Sequence, residues 1–146
     1  METKAKNRLS GQITLPNYEF TLTSSEFKKD GEEFTIWFFE GILENSPNYL
    51  DCLLYLGSAY TAQGMYEKGL HIDRKLCSLR PQDPLVHYNL ACSYALLKNT
   101  DAAFNALEMA IVLGYNDIYH LEKDRDLACL REDDRYIKLV EKIKLH

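Results

Sequence analysis

Apolar residues recur at three- and four-residue intervals between residues 50 and 115, which is the spacing of one face of a helix. Gly64 interrupts this pattern in the first half of the region, and the polar run 98–101 interrupts it in the second half. Pro81 and Pro84 mark the junction, because a proline ends one helix or occupies the first turn of the next. The pattern therefore predicts two consecutive pairs of helices.

The two halves are related by a shift of 34 residues, at which apolar positions meet apolar positions and small residues meet small residues. The aligned pairs are Leu56 with Leu90, Gly57 with Ala91, Tyr60 with Tyr94, Gly69 with Ala103 and Leu79 with Leu113. Small residues at such positions let two helices approach closely. A period of this length is typical of stacked helical hairpins.

These residues resemble the tetratricopeptide repeat (TPR) family, in which large apolar residues, Leu-Gly, Tyr, Ala and Pro recur at fixed positions. The first unit, residues 50–83, keeps Leu-Gly at Leu56 and Gly57. The second unit, residues 84–117, has Ala91 in place of the glycine and Tyr115 in place of the proline. The resemblance implies an all-α fold, a short right-handed α-solenoid of helical hairpins.

The segment before the repeats keeps only the second half of a unit, predicted over residues 25–49. Its helix is expected at residues 33–45, with one apolar face formed by Phe34, Trp37, Phe38 and Ile42. Apolar and polar residues alternate between residues 11 and 23, which is the period of an extended segment. Residues 1–24 are therefore predicted to form an N-terminal arm that is partly mobile or extended.

The segment after the repeats, residues 118–146, carries seven basic and seven acidic residues. A stack of repeats needs a polar terminal unit that covers its last apolar face, and this composition suits that role. The segment is also similar to the closing segment of bacterial TPR arrays. Its residues expected to face the preceding hairpin are Leu127, Leu130, Tyr136, Leu139 and Val140.

The first helix of each unit is predicted to turn one side toward a concave surface. Residues 50–63 include only one charged residue, Asp51, and residues 84–97 include none, which is unusual for helices at a surface. The predicted partner-binding residues on this side are Asp51, Leu54, Tyr55, Ser58, Thr61, Ala62, Leu85, Tyr88, Asn89, Cys92, Ala95 and Leu96. Two interpretations remain: an apolar peptide or amphipathic helix of another protein binds there, or the extended N-terminal segment covers the surface.

Composition narrows the choice of partner. The chain has 17 basic and 22 acidic residues, a net charge of −5, and no basic cluster, so neither nucleic acid nor an anionic membrane surface is an expected partner. No long uncharged apolar run and no secretory signal is recognisable, which predicts a cytoplasmic protein.

No set of residues predicts catalysis, a cofactor or a metal site. His87 and Cys92 are five residues apart and are expected on different sides of their helix. The four cysteines lack metal-binding or redox spacing and are expected to be free, buried thiols. The carboxylates of residues 124, 126, 133 and 134 lack the spacing of a calcium-binding loop. They are expected to pair with arginines instead, because Arg125, Arg131 and Arg135 are interleaved among them.

Two functional classes follow from the sequence. The first is a non-enzymatic protein-interaction module, such as an adaptor, assembly factor or chaperone-like protein. The second is a self-assembling element that forms dimers or longer arrays through the N-terminal arm or the convex face.

Overall fold

A computed structural model of the chain describes residues 11–15, 18–22 and 31–145, with side chains from residue 31 onward except residue 32. The elements are β1 (Gly11–Leu15), β2 (Tyr18–Leu22), α1 (Gly31–Asn45), α2 (Leu50–Ala62), α3 (Tyr66–Leu79), α4 (Pro84–Leu96), α5 (Thr100–Val112), α6 (Ile118–Lys123), the 3₁₀ helix η1 (Arg125–Leu130) and α7 (Asp134–Lys144). The predicted mobile part of the arm, residues 1–10, lies outside the described residues, as do residues 23–30.

Each helix packs on the next along the chain from α1 to α5, and the stack continues with η1 against α4 and α7 against α5. The hairpins α2–α3 and α4–α5 correspond to the two predicted units. The predicted helical solenoid of TPR-like hairpins is therefore confirmed. Among the described helices, none is both long and apolar enough to cross a bilayer.

The extended segment near the N-terminus forms an antiparallel pair, in which Ile13 is opposite Phe20. The extended conformation expected from the alternating pattern is confirmed in both strands. Their pairing with each other was not predicted, because the alternation of a single chain segment does not identify its partner strand.

Small residues allow the close helix contacts predicted from the repeat. A methyl group on Gly57 would lie 3.2 Å from Cγ2 of Ile72, which is a tighter contact than most methyl groups make, so α2 and α3 approach each other closely there. Ala91, at the matching place in α4, is fully buried. The turns also match: Gly64 has φ +74°, and Lys98, 34 residues later, has φ 61°. A left-handed backbone is easily adopted by glycine and disfavoured for lysine.

The 34-residue period extends beyond the two recognised units. Helix α1 occupies the place of α3 one period earlier, as predicted, and α7 occupies the place of α5 one period later. Two ion pairs join residues one full period apart, Asp101 with Arg135 at 2.7 Å and Glu108 with Lys142 at 2.9 Å. The expectation that the period fails after residue 117 is thus wrong for the second helix of that unit. Only the first helix is irregular, being divided into α6 and η1.

Burial agrees with most of the predicted faces. The five residues of the C-terminal segment that were expected to face the preceding hairpin are all buried in one core cluster with α4 and α5. Phe38 and Ile42 of α1 are buried, and Phe34 is half-buried. Trp37 differs from the expectation, because it is 61% exposed.

Candidate functional site

A hollow of about 430 Å³ lies between α2 and α4 and is bounded at one end by residues 120–126. We call it the concave hollow. Its walls combine apolar side chains of the two helices with polar groups from α3 and from the irregular unit. The lining residues are Leu54, Gly57, Ser58, Thr61, Ala62, Asp73, Leu76, Tyr88, Asn89, Cys92, Ser93, Leu96, His120, Asp124 and Asp126.

Eight of the twelve residues predicted from the sequence line this hollow, and four do not. Those at the hollow are Leu54, Ser58, Thr61, Ala62, Tyr88, Asn89, Cys92 and Leu96. Asp51, Tyr55 and Leu85 are exposed and lie outside it, and Ala95 is fully buried. The hollow brings together α2 and α4 as expected from the repeat geometry.

Tyr88 is not exposed, contrary to the expectation from the sequence. It is 3% exposed, its ring stacks on Tyr115 with centroids 4.4 Å apart, and its hydroxyl donates a 2.7 Å hydrogen bond to Asp124. Cys92 and Ala95 are also buried. The physical reason is that the segment after α5 folds back over this end of α4 and covers these side chains.

The hollow is acidic, although the two helices that form its walls are almost uncharged. Asp73 enters it from α3, and Asp124 and Asp126 enter it from the junction of α6 and η1. Counting charges within the first helix of each unit could not find these carboxylates. One feature of the sequence does indicate a buried carboxylate: Asp73 lies on the apolar side of an otherwise amphipathic helix.

Asp73 is a buried carboxylate with one side-chain donor, the hydroxyl of Ser93 on α4. Burial raises the pKa of Asp73 to about 6, although the hydrogen bond from Ser93 acts in the opposite direction. Removal of a carboxylate from water disfavours its ionised form, and one hydroxyl donor does not compensate for this loss. The hydrogen bond between Asp73 and Ser93 therefore links two neighbouring hairpins, but ionisation of the buried Asp73 lowers the free energy of unfolding.

Asp124 is the most highly connected polar residue of the hollow. Besides the Tyr88 hydroxyl, it accepts hydrogen bonds from the backbone N–H of Asp126 at 3.0 Å and from the thiol of Cys92 at 3.6 Å. Its carboxylate also lies 3.4 Å from Nε2 of His120. Asp124 caps η1 and thereby fixes the irregular helix to α4.

Asp126 follows two residues later and is half-buried. Burial raises the pKa of Asp126, and the neighbouring charge of Asp124 raises it further, whereas His120 lowers it. Two carboxylates close together disfavour each other's ionisation unless a cation lies between them. This part of the hollow has an excess of negative charge.

The expected pairing of these carboxylates with arginines is found at one end of the segment only. Asp133 pairs with Arg135 at 2.8 Å, and hydrogen bonds from Arg135 lower the pKa of Asp133 to about 2. Among the described residues, neither Asp124 nor Asp126 forms an ion pair with an arginine. Arg131 donates instead to the backbone carbonyls of Leu121 and Asp124. The expectation is therefore wrong for Asp124 and Asp126, and within the described part of the chain Asp134 forms no such ion pair either. The side chain of Arg131 serves instead to close the turn.

The same end of the hollow brings together groups that can bind a cation. Potential ligand atoms of Cys92, Asp124 and Asp126 all lie within 4.8 Å of one another. The burial of Cys92 and its acidic neighbours raise the pKa of its thiol, so it is protonated in the absence of a cation. These residues could provide one sulfur and two oxygen ligands.

A cysteine–histidine pair that the sequence did not predict lies on the other side of α4. Nδ1 of His87 is 3.9 Å from the sulfur of Cys77, while Nε2 of His87 lies 2.8 Å from the carbonyl oxygen of Pro81. Because a carbonyl accepts, Nε2 carries the proton and Nδ1 faces the thiol. Burial raises the pKa of Cys77 to about 11, with smaller contributions from Asp73 and Asp83. Nucleophilic catalysis requires the thiolate, which this environment disfavours.

The hollow, the stacked hairpins and the repeated close contacts together define a TPR-like helical repeat fold. No family model matches the chain. The crystal structure of MamA resembles it with a TM-score of 0.65 and 23% identity, over 90% of this chain and 74% of that chain. MamA 41-end from Desulfovibrio magneticus RS-1 gives a TM-score of 0.60 and 17% identity, over 84% and 72% of the two chains. At these identities the likeness concerns the fold alone.

One curated protein, a chloroplastic protein of Arabidopsis thaliana, is similar in sequence. It is 30% identical to this chain over 87 residues, which are 58% of this chain. The match spans 26% of that protein, so the chain corresponds to about a quarter of the length of this relative.

Proposed function

We propose that the chain is a non-enzymatic protein-interaction module that binds an apolar peptide or amphipathic helix of another protein in the concave hollow. An adaptor, an assembly factor or a chaperone-like protein would use such a site. The observation that carries the proposal is the hollow of about 430 Å³ between the first helices of consecutive hairpins. Its volume is within the range of about 300–1,000 Å³ that is typical of ligand sites.

The walls of the hollow suit an extended segment. Leu54, Ala62 and Leu96 offer apolar surface, and Leu54 is 41% exposed although it lies beside a concave site. Asn89 is exposed at the rim, where its amide can donate to and accept from the main chain of a bound peptide. Tyr88 and Cys92 are buried in the wall of the hollow, so we do not expect the side chains of a bound peptide to pack mainly on them.

Three further parts of the proposal come from the sequence. We propose that the protein acts in the cytoplasm. We also propose that its partners are proteins rather than nucleic acid or membrane, because its net charge is −5 without a basic cluster. We also propose that residues 118–146 serve as the terminal cap of the TPR-like array, and that residues 1–24 form a separate arm.

The test is a selection of random displayed peptides on the full chain, followed by binding measurements on the selected peptides. Leu54→Glu, which places a charge on the apolar wall, should reduce their affinity at least tenfold. The matched control is Met109→Glu on α5, because Met109 is similarly exposed but lies outside the hollow. Equal affinity for both variants, or no selected peptide at all, would refute binding in the hollow.

Self-assembly is the alternative, and the exposed aromatic surface at the α1–α2 end of the stack favours it. Tyr55 is 63% exposed and stacks on Phe39 with centroids 5.6 Å apart. Light scattering over a concentration series would reveal association, and Tyr55→Ser or removal of residues 1–24 should abolish it. A mass that does not change with concentration or with either alteration excludes this alternative.

A further inference from the structure

The charge balance of the concave hollow indicates what kind of segment it accepts. Three carboxylates line it, those of Asp73, Asp124 and Asp126, and among the residues that the structure describes no lysine or arginine lines it. The imidazole of His120, at the edge of the hollow, is mostly exposed and already lies against Asp124. A purely apolar ligand would remove the partly exposed carboxylates of Asp124 and Asp126 from water without providing a counter-charge, which is costly.

The environment of the carboxylates agrees with this deficit of positive charge. Carboxylate oxygens of Asp124 and Asp126 lie within 4.8 Å of each other, and burial raises the pKa of Asp73 to about 6. A cation placed among these groups would favour their ionised forms and would be held by charge-assisted hydrogen bonds.

The surroundings of the carboxylates suit a polypeptide better than a small ion. A second hollow, of about 290 Å³, adjoins the first and shares Tyr88, Asn89 and His120 with it. The shared residues place the two hollows side by side along α4. The wall of the second hollow includes Tyr115, whose buried hydroxyl has no hydrogen-bond partner among the described residues. The first hollow also has apolar wall residues, among them Leu54, Ala62 and Leu96, in addition to its carboxylates.

We infer that the concave hollow selects partner segments in which a lysine or arginine side chain lies between apolar side chains. The cation is held by the carboxylates of Asp124 and Asp126, and Asp73 adds negative charge in the same hollow. The apolar neighbours of the basic residue pack on the wall near Leu54 and Leu96. This inference rests on the proposed function, since it specifies the chemistry of the segment bound there.

The experiment extends the peptide selection to variants that keep shape but lose charge. Asp126→Asn is the main variant, because Asp124 also caps η1 and its replacement could disturb the fold. Asp124→Asn is the second variant and is used after its melting curve has been compared with that of the unmodified chain. The matched control is Asp134→Asn, which removes an exposed carboxylate of α7 away from the hollow.

Peptides selected on the unmodified chain should share a lysine or arginine at one aligned position. Replacement of that residue by norleucine, and separately Asp126→Asn, should each weaken binding about tenfold to a hundredfold, as expected for loss of a charge-assisted hydrogen bond. The norleucine replacement and Asp126→Asn combined should weaken binding little more than either change alone, because both remove the same interaction. Asp134→Asn should have no effect, and the affinity should fall as ionic strength rises.

The outcomes separate this inference from the proposed function. Peptides that depend on Leu54 but lack a shared basic position would overturn the inference and leave binding in the hollow intact. Failure to select any peptide that depends on Leu54 would overturn both. If instead Zn²⁺ binds to the chain in calorimetry, with dependence on Cys92 and Asp126, and blocks the peptides at equimolar concentration, the hollow is a metal site and the inference is wrong.

Discussion

The protonation of Asp73 should make the stability of the stack depend on pH in a direction opposite to that of most carboxylates. The pKa of Asp73 is about 6 in the folded chain, against an ordinary value of 3.8. Between these values the folded state holds a proton that the unfolded state has lost, so the free energy of unfolding decreases as pH rises. The stabilisation by protonated Asp73 is fully present at pH values below the unfolded pKa of 3.8, and it is lost above the folded pKa of about 6.

The magnitude follows from the difference between the two pKa values. At about pH 7.5 the buried ionised carboxylate destabilises the folded chain by about 3 kcal/mol, and at about pH 5 by about half of that. Asp73→Asn removes the charge and keeps an oxygen that can accept from Ser93. We therefore expect this variant to be more stable than the unmodified chain at neutral pH, with an advantage that shrinks steadily as the solution is acidified.

The assay is urea unfolding of both proteins at several pH values, followed by circular dichroism. Ser93→Ala serves as the comparison, because it removes the donor and leaves the carboxylate; it should raise the pKa of Asp73 further and extend the loss of stability to higher pH. A stability difference between Asp73→Asn and the unmodified chain that is constant with pH would refute the reasoning. So would a loss of stability in Asp73→Asn at every pH.

Three further substitutions test the packing. Tyr88→Phe keeps the aromatic stack but removes the donor to Asp124, and should lower the free energy of unfolding by about 1–2 kcal/mol in denaturant titration. Lys98→Gly relieves a left-handed backbone and should raise it by about 0.5–1 kcal/mol, seen as a higher melting temperature. Ala91→Glu forces a charge into a fully buried helix contact and should cost at least about 3 kcal/mol, measured as a lower urea midpoint.

Each of these substitutions has a matched control. Tyr119→Phe changes an exposed tyrosine and should be neutral, so an equal effect at both tyrosines would contradict the role of the buried hydrogen bond. Gly64→Ala should destabilise the turn that corresponds to that of Lys98, and stabilisation there would contradict the backbone argument. Asn105→Glu places the same charge on an exposed position of α5, where little change is expected.

The helical architecture could be predicted because the repeat fixes it locally. Leu56, Gly57 and their counterparts one period later determine both the helix face and the distance between helices. The helices α2 to α5 are observed where these patterns required them. The continuation of the period into α7 was not predicted, because the first helix of that unit departs from the repeat and Asp124 takes the place of Leu90.

The candidate site could be predicted only in part, because its charges come from outside the two helices that the pattern identified. The positions of Leu54 and Asn89 in the wall of the hollow could be predicted from helical geometry alone. The hollow also contains the carboxylates of Asp73, Asp124 and Asp126, which other helices bring close to Leu54 and Asn89. A periodic pattern within one helix carries no information about such contacts between helices. The burial of Tyr88 has the same origin, since Tyr115 and Asp124 belong to the following segment.

The division of the C-terminal unit into α6 and η1 has a consequence for how this protein differs from a regular array. A continuous helix there would follow the period of Leu90 and Ala91 and would leave no turn from which two aspartates could point back toward α4. The break thus converts a generic scaffold into one with a chemically distinct end. If the hollow binds a partner as proposed, its specificity can change through this short stretch while the stacked hairpins stay as they are.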